Sequence, residues 1–216
     1  MAKLIGMTVI ALFGATGKTG HRVLTRALAT GCEVRALVRD PARLATTSPA
    51  LTVIHGDVLD PGAVDQTVSG SDAVLSLFGQ VKGSPPTLQA EGTQLIVDAM
   101  GRYDVKRIVT LSGGGLSAPL DRPGPADRVI KFLLKTLSGQ VLADAEQHLR
   151  VLEASGLEWT VVRGPRLNEK PGAGTYRVGW VGVDASTQIS RDDLADFILT
   201  QVKDRTFIGQ MPFISA

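Results

Sequence analysis

The chain of 216 residues is 44% hydrophobic and 20% charged, which supplies enough apolar side chains for one sizeable buried core. A net charge of +2, scattered basic residues and 5% aromatics argue against a nucleic-acid partner, because neither a phosphate-binding patch nor a stacking platform stands out. The single cysteine, Cys32, excludes an internal disulfide and any multi-cysteine metal site, and the composition fits a reducing cytoplasm.

The apolar stretch Leu4 to Phe13 has only Lys3 before it and runs into a glycine turn instead of a small-residue cleavage site, so no signal peptide is expected. No apolar run approaches the roughly 18 residues of a membrane span, and no membrane partner is expected. Met7–Phe13 reads as strand one. The turn Gly14-Ala15-Thr16-Gly17-Lys18-Thr19-Gly20 follows, with a helix over Lys18–Thr30 ended by Gly31. Strand two is Glu33–Val38, preceded by Cys32, which reads as a small, partly buried residue. Asp40-Pro41 reads as the cap and first position of a short helix. Strand three is Leu51–His55, and Asp60-Pro61 repeats the cap signal for a helix ending near Ser69. Strand four is Asp72–Phe78. A loop holding Pro85-Pro86 leads to a helix over Thr87–Met100, and strand five is Lys106–Leu111. The strands are short, continuous and apolar, as strands buried on both faces should be. Their alternation with helices predicts an α/β, Rossmann-type doubly wound parallel sheet, a single domain over 1–216 with a small C-terminal substrate-covering region.

After Leu111 the regularity breaks. Ser112-Gly113-Gly114-Gly115 opens a long connection containing Pro119, Pro123 and Pro125. A helix over Ala126–Leu137 places Val129, Phe132, Leu133 and Leu137 at helical spacing with Arg128, Lys131 and Lys135 on other faces; a lid or core-packing role is expected, and residues 113–142 read as a lid segment. A helix over Leu142–Ala154 ends at Gly156, and strand six is Glu158–Val162. Residues 164–185 read as an irregular substrate-side region with a hairpin around Gly174–Val183. Ser190 with Asp193 resembles a capping box for a helix to about Val202, and Phe213–Ser215 is a final strand.

Strand, glycine turn and helix in that order are what a dinucleotide pyrophosphate requires. Gly14 permits the tight turn, Gly17 lets backbone N–H groups approach the phosphates, and Gly20 lets the helix pack closely on the strand. The spacing is G-x-x-G-x-x-G, and Lys18-Thr19 lack the four residues that would make a Walker loop. Strand two ends in Val38-Arg39-Asp40. Arg39, joined by Arg43, suits the 2′-phosphate of NADPH; the competing assignment makes Asp40 the ribose acid, though Pro41 behind it favours a helix cap. In Gly56-Asp57-Val58, Asp57 suits the adenine amino group with Val58 against the ring, or else a plain turn; spacing leaves both open. Phe78 and Gly79 end strand four, where a small residue lets the cofactor's second half pass. Ser112 ends strand five at the carboxyl edge, placed to touch the nicotinamide ribose or a substrate carbonyl, or simply to open the glycine loop.

A short-chain dehydrogenase donates its proton from a Tyr followed four residues later by Lys. Tyr103 is followed by Arg107 and Tyr176 by Trp180, so no general acid is evident. His21, His55 and His148 share no metal spacing, no Ser-His-acid set is readable, and no metal is expected; His148 reads as a surface or satisfied residue.

Gly14 to Gly20, Leu37 to Asp40, Gly56 to Val58, Ser155-Gly156-Leu157-Glu158-Trp159-Thr160 and Ile189-Ser190-Arg191-Asp192-Asp193-Leu194-Ala195 together resemble the atypical short-chain dehydrogenases with an NAD(P)H-binding, NmrA-like fold, closest to the biliverdin-IXβ reductase/flavin reductase group. The resemblance spans nearly the whole chain. It implies NADPH, a monomer or weak homodimer, and reduction of a small flat acceptor such as a flavin or quinone. It assigns Gly14, Thr16, Gly17, Lys18 and Thr19 to the pyrophosphate, Arg39 and Arg43 to the 2′-phosphate, Asp57 and Val58 to the adenine, Phe78 and Gly79 to the central cofactor, and Ser112 to the nicotinamide. The segment Gly113–Leu142 departs from that group by its length. The alternative within the resemblance is an NmrA-type NAD(P)-sensing regulator without turnover. Sugar epimerase or dehydratase chemistry fits poorly, since those relatives need the tyrosine and a larger substrate domain than about 50 residues can build.

Overall fold

Short strands that are apolar on both faces must be covered on both faces, and a parallel sheet between two helical layers does this. A computed structural model describes residues 7–216; the start of the apolar N-terminal stretch, at Leu4, lies outside the described residues. The elements run β1 (Val9–Phe13), α1 (Lys18–Ala29), β2 (Glu33–Val38), β3 (Leu51–His55), α2 (Pro61–Val68), β4 (Ala73–Ser76), α3 (Leu88–Arg102) and β5 (Arg107–Gly113). They continue with α4 (Pro125–Leu137), α5 (Gly139–Ala154), β6 (Glu158–Gly164), β7 (Arg166–Asn168), β8 (Arg177–Gly179), β9 (Gln188–Ser190), α6 (Arg191–Thr200) and β10 (Phe213–Ser215).

The main sheet has the order β3-β2-β1-β4-β5-β6-β10-β8. Every neighbouring pair in it is parallel except β10 with β8. The order of addition reverses between β1 and β4, which opens a crevice at their carboxyl ends, the place where such sheets take ligands. Helices α1 and α6 cover one face through a core that includes Leu12, Leu24, Val109 and Leu194. Helices α2, α3 and α5 cover the other through Phe13, Val74, Ile96 and Leu152. The expected caps form: Asp60 accepts from Gly62 N at 2.9 Å with Pro61 opening α2, and Ser190 accepts from Asp193 N at 2.9 Å to start α6. Cys32 is half-buried.

Four expectations change. Strand β4 stops at Ser76, because the chain leaves the sheet to pass beside Gly14. Strands β5 and β6 each run two residues further, pairing Ser112 with Arg163 and Gly113 with Gly164. The hairpin around Gly174–Val183 is only a tight turn, closed by reciprocal backbone bonds between Trp180 and Val183; the preceding strand β8 pairs with the edge of β10 instead. Among the described side chains of helix α4, Val129, Phe132 and Leu133 are 59%, 69% and 49% exposed and do not pack into the core; the side chain of Leu137 lies outside the described ones.

The long connection after β5 is held by a buried ion pair. Arg163 of β6 has no solvent exposure, and its Nη1 and Nη2 each donate to Asp121 at 2.8 Å. Its remaining donors reach the carbonyls of Met211 and Leu116 at 2.9 and 2.8 Å. Asp121 also accepts from Ala118 N and Val181 N, at 2.7 and 3.1 Å. Burial pushes the Asp121 carboxyl up, but the guanidinium and these N–H donors outweigh it and hold the group below its ordinary value. Buried charge is tolerated only when paired and hydrogen-bonded in this way.

Of the two expectations for His148 of α5, a surface or a satisfied residue, the second holds: it is buried and hydrogen-bonded. It ties three elements together, with Nδ1 bonded to Thr93 of α3 at 2.7 Å and Nε2 to Thr110 of β5 at 3.2 Å. Burial pushes the imidazole down to about 4, so it is neutral at ordinary pH. An unfolded histidine takes a proton near pH 6.5, so the neutral buried form contributes stability that is full above about pH 6.5 and is lost progressively as pH falls to about 4. Thermal or urea unfolding of the wild type should therefore lose on the order of 3 kcal/mol across that window. The His148→Gln variant should be less stable at pH 8 but show a flatter profile below pH 6.5. An unchanged slope in the variant would refute this role.

Candidate functional site

The crevice between β1 and β4 is shaped by backbone, not by side chains. Gly14 takes φ +89°, and a Cβ there would lie 2.7 Å from the backbone of Leu77 and Phe78. Gly17 N donates to Gly14 O at 3.0 Å. A Cβ on Gly20 would lie 2.0 Å from Gly14 O, so the third glycine lets α1 close onto the turn itself; the helix-on-strand contact expected from sequence is really a helix-on-turn contact. The result is a helix N-terminus held against the end of β1.

That terminus is open. Helix α1 has Gly17 as its N-cap, no side-chain cap and no acid in its first turn. The starts of α2 and α6 are capped by Asp60 and Ser190, and the start of α3 by Asp144 of α5, which accepts from Gln89 N and Ala90 N at 2.9 Å each. Uncapped N–H groups at a helix start, approached through glycine, fit the oxygens of a diphosphate. Gly17 and Lys18 are exposed there, and Thr19 is buried with its hydroxyl accepting from Arg191 Nη1 at 3.1 Å.

Two clefts meet at this edge. The smaller, of about 80 Å³, brings together Gly14, Thr16, Arg39, Asp57, Val58, Phe78 and Gly79. The Arg39 side chain is 63% exposed and its Nε is 3.9 Å from Asp57 Oδ2, a separation that leaves the guanidinium available to a further anion. Arg43 sits on the short helical turn Pro41–Arg43, outside the cleft lining. Asp40 accepts from Ala42 N at 3.1 Å and is thus the cap of that turn. Asp57 is a turn aspartate through Oδ1, which accepts from Leu59 N at 2.9 Å. Val58 and Phe78 pack over Gly92 of α3, where a Cβ would lie 2.9 Å from the Phe78 ring.

The larger cleft, of about 420 Å³, shares Phe78 and Gly79 with the first and continues past Ser112 along the carboxyl ends of β5 and β6. Ser112 is nearly buried, and its hydroxyl has no protein partner among the described residues. The other polar side chains of the lining are Gln80, Gln89 and Ser138; Leu116, Val141, Leu142, Ala145 and Leu167 supply an apolar wall. No titratable side chain among the described residues lines it. Nor does any group of three His, Cys, Asp or Glu among the described residues lie together as a metal site would require.

Two arrangements were not visible in the sequence. Gln80 is clamped by Asp144, its Nε2 donating to the carboxylate and to Pro86 O at 2.6 Å each. An acid on the buried face of α5, at i and i+4 with His148, was the available signal. Glu169, after β7, pairs with Lys18 at 3.1 Å, Arg22 at 3.0 Å and Arg191 at 2.9 Å. Hydrogen bonds from Lys18 and Arg191 hold this carboxyl below its ordinary range. Nothing in the sequence brings residue 169 to the start of α1.

Comparison with known proteins gives a family and a shared fold. A family model described as NAD(P)H-binding matches residues 14–205. An uncharacterised chloroplastic protein of Arabidopsis thaliana is 28% identical over 196 residues, covering 85% of this chain and 68% of that protein. A short-chain dehydrogenase/reductase from Veillonella parvula, solved in complex with NADP, superposes with a TM-score of 0.80 at 21% identity, over 97% of this chain and 94% of that one. ChuY, an anaerobillin reductase from Escherichia coli, superposes with a TM-score of 0.75 at 20% identity, over 96% and 97%. At such identities the two structures share the fold.

The Gly20→Ala variant tests the closure of the turn. It should lose about 2 kcal/mol of unfolding stability through overpacking, and its dinucleotide affinity should fall at least about tenfold. A variant with wild-type melting and affinity would contradict the contact.

Proposed function

The chain belongs to the NAD(P)H-binding family whose model it matches over residues 14–205, and on that footing we propose that it is an NADPH-dependent reductase acting on a flat, electron-poor conjugated acceptor such as a flavin or quinone. The observation that carries this reading is the absence of a titratable side chain, among the described residues, from the cleft beside Ser112. A carbonyl reductase needs a positioned acid. A conjugated ring that accepts hydride can take its proton from solvent.

A nicotinamide held there would supply the hydride. The protein's part is to bind, orient and exclude water. The free amides of Lys18 and Thr19 and the positive end of α1 would hold the diphosphate, while Gly17, whose own N–H is bonded to Gly14 O, keeps the approach clear. Arg39, with Arg43 behind it, meets the 2′-phosphate through charge-assisted bonds. Asp57 and Val58 receive the adenine; Phe78 and Gly79 separate the two clefts and carry the middle of the cofactor. Ser112 offers a hydroxyl to the nicotinamide ribose or the acceptor, and the apolar wall from Leu116 to Leu142 lies along the acceptor ring.

A second reading, a cofactor-sensing regulator, draws support from the exposed apolar side chains of α4. Tight NADPH binding without turnover, together with a partner captured only in the presence of NADP⁺, would favour it.

NADPH oxidation with FMN, riboflavin and a quinone is the direct test, and turnover with at least one is expected. Because no side chain donates the proton, kcat should change little between about pH 6 and 9. A steep limb in that range, or no turnover with any acceptor, would overturn the proposal. The Arg39→Ala variant should bind NADPH about 10- to 100-fold more weakly while NADH binding moves less than about threefold; equal weakening of both would remove Arg39 from the 2′-phosphate.

A further inference from the structure

Across the ridge Gly113-Gly114-Gly115 from the acceptor cleft lies a second and larger one, of about 650 Å³. The two share Gly113 to Leu116, Gly164 and Pro165, so one ligand can reach from one into the other over a rim with few side chains. Their chemistry differs. The first has no charged lining residue among those described, whereas the second has apolar walls, including Ile130, Val181 and Phe213, set beside Arg128 and Lys131 of α4 and Arg166 of β7.

The charges of the second cleft do not cancel. Of its two carboxylates, Asp121 is neutralised by Arg163 at 2.8 Å, and Asp127 keeps its charge while accepting from Gly124 N at 2.9 Å, so one carboxylate faces three cations. Lys131 Nζ donates to Ser117 Oγ, a neutral partner. Among the described residues, Arg128 and Arg166 have no carboxylate within ion-pair distance. Three cations thus edge an apolar trough that opens from an uncharged, ring-sized cleft. This pattern fits a molecule with an uncharged conjugated body and an anionic group on a tail.

We infer that the second cleft is a subsite for the acceptor's anionic tail, a phosphate or carboxylate met by Lys131 and Arg166 while the ring occupies the cleft beside Ser112. The inference rests on the reductase reading for the identity of the ring. It makes residues 113–137 a specificity element and goes beyond hydride transfer in naming an acidic class of acceptor.

FMN and riboflavin share a ring and differ by one phosphate, and both fluoresce. Anisotropy titrations on the protein saturated with NADP⁺, which fills the Arg39 site, read binding without turnover. FMN should bind at least about tenfold more tightly than riboflavin. The double variant Lys131→Ala with Arg166→Ala should bring FMN to the riboflavin value and leave riboflavin unchanged; Lys131→Arg alone should retain the preference. Equal dissociation constants in the wild type, no binding of either flavin, or a preference that survives the double variant would each overturn the subsite. Turnover is scored separately. Flavin binding with the expected preference but no NADPH oxidation sinks the reductase reading and leaves the subsite; reduction of both flavins with equal affinity does the reverse.

Discussion

The site depends on one backbone contact. The start of α1 can stand against the end of β1 only because residues 14 and 20 lack a Cβ; either would drive an atom into main chain that has nowhere to go. Protein interiors do not absorb an overlap of that size, so the turn is fixed. With it are fixed the direction of the uncapped N–H groups of α1 and the path of Leu77 and Phe78 as they leave the sheet. The first determines what can bind, an anionic bridge. The second determines where the two halves of a dinucleotide would separate, since Phe78 and Gly79 line both clefts.

A second constraint organises the less regular half. Arg163 and Asp121 bind each other while holding the connection after β5, the segment before β10 and the turn at Val181. Removing either partner would strand a buried charge, an effect of roughly 3–5 kcal/mol. The pair therefore acts as an anchor from which α4 projects. This explains how a helix with exposed apolar side chains can still have a defined place along the second cleft. Rigid sheet edges provide the uncharged chamber, and the anchored connection provides the charged one.

Much of the fold was legible because its boundaries are set by local chemistry. Strands Glu33–Val38, Leu51–His55 and Phe213–Ser215 have the bounds the sequence suggests, the first two flanked by signals such as Gly31, Asp40-Pro41 and Gly56. The ends of β4, β5 and β6 are not legible in the sequence because neighbouring strands decide them, not the residues themselves. Helix α4 illustrates the same limit: periodicity reveals an apolar face but not whether anything covers it. At the site, Gly14, Thr16, Arg39, Asp57, Val58, Phe78 and Gly79 are brought into one cleft from separate motifs, each marked by its place at a strand end. Gln80–Asp144 and Arg163–Asp121 were invisible, because partners 64 and 42 residues apart meet only through tertiary packing. The motif spacing marks Gly20 as a close-packing position, but only the fold shows that its neighbour is the carbonyl of Gly14.

A diphosphate on the open amides after β1, with the guanidinium of Arg39 beside the adenosine sugar, is the interaction on which the proposed role rests. Calorimetric titration of the purified protein with NADPH and with NADH measures this directly. Saturable binding of NADPH with a dissociation constant of about 10 μM or tighter is expected, with NADH at least about tenfold weaker. No heat from either nucleotide at millimolar concentration would contradict it.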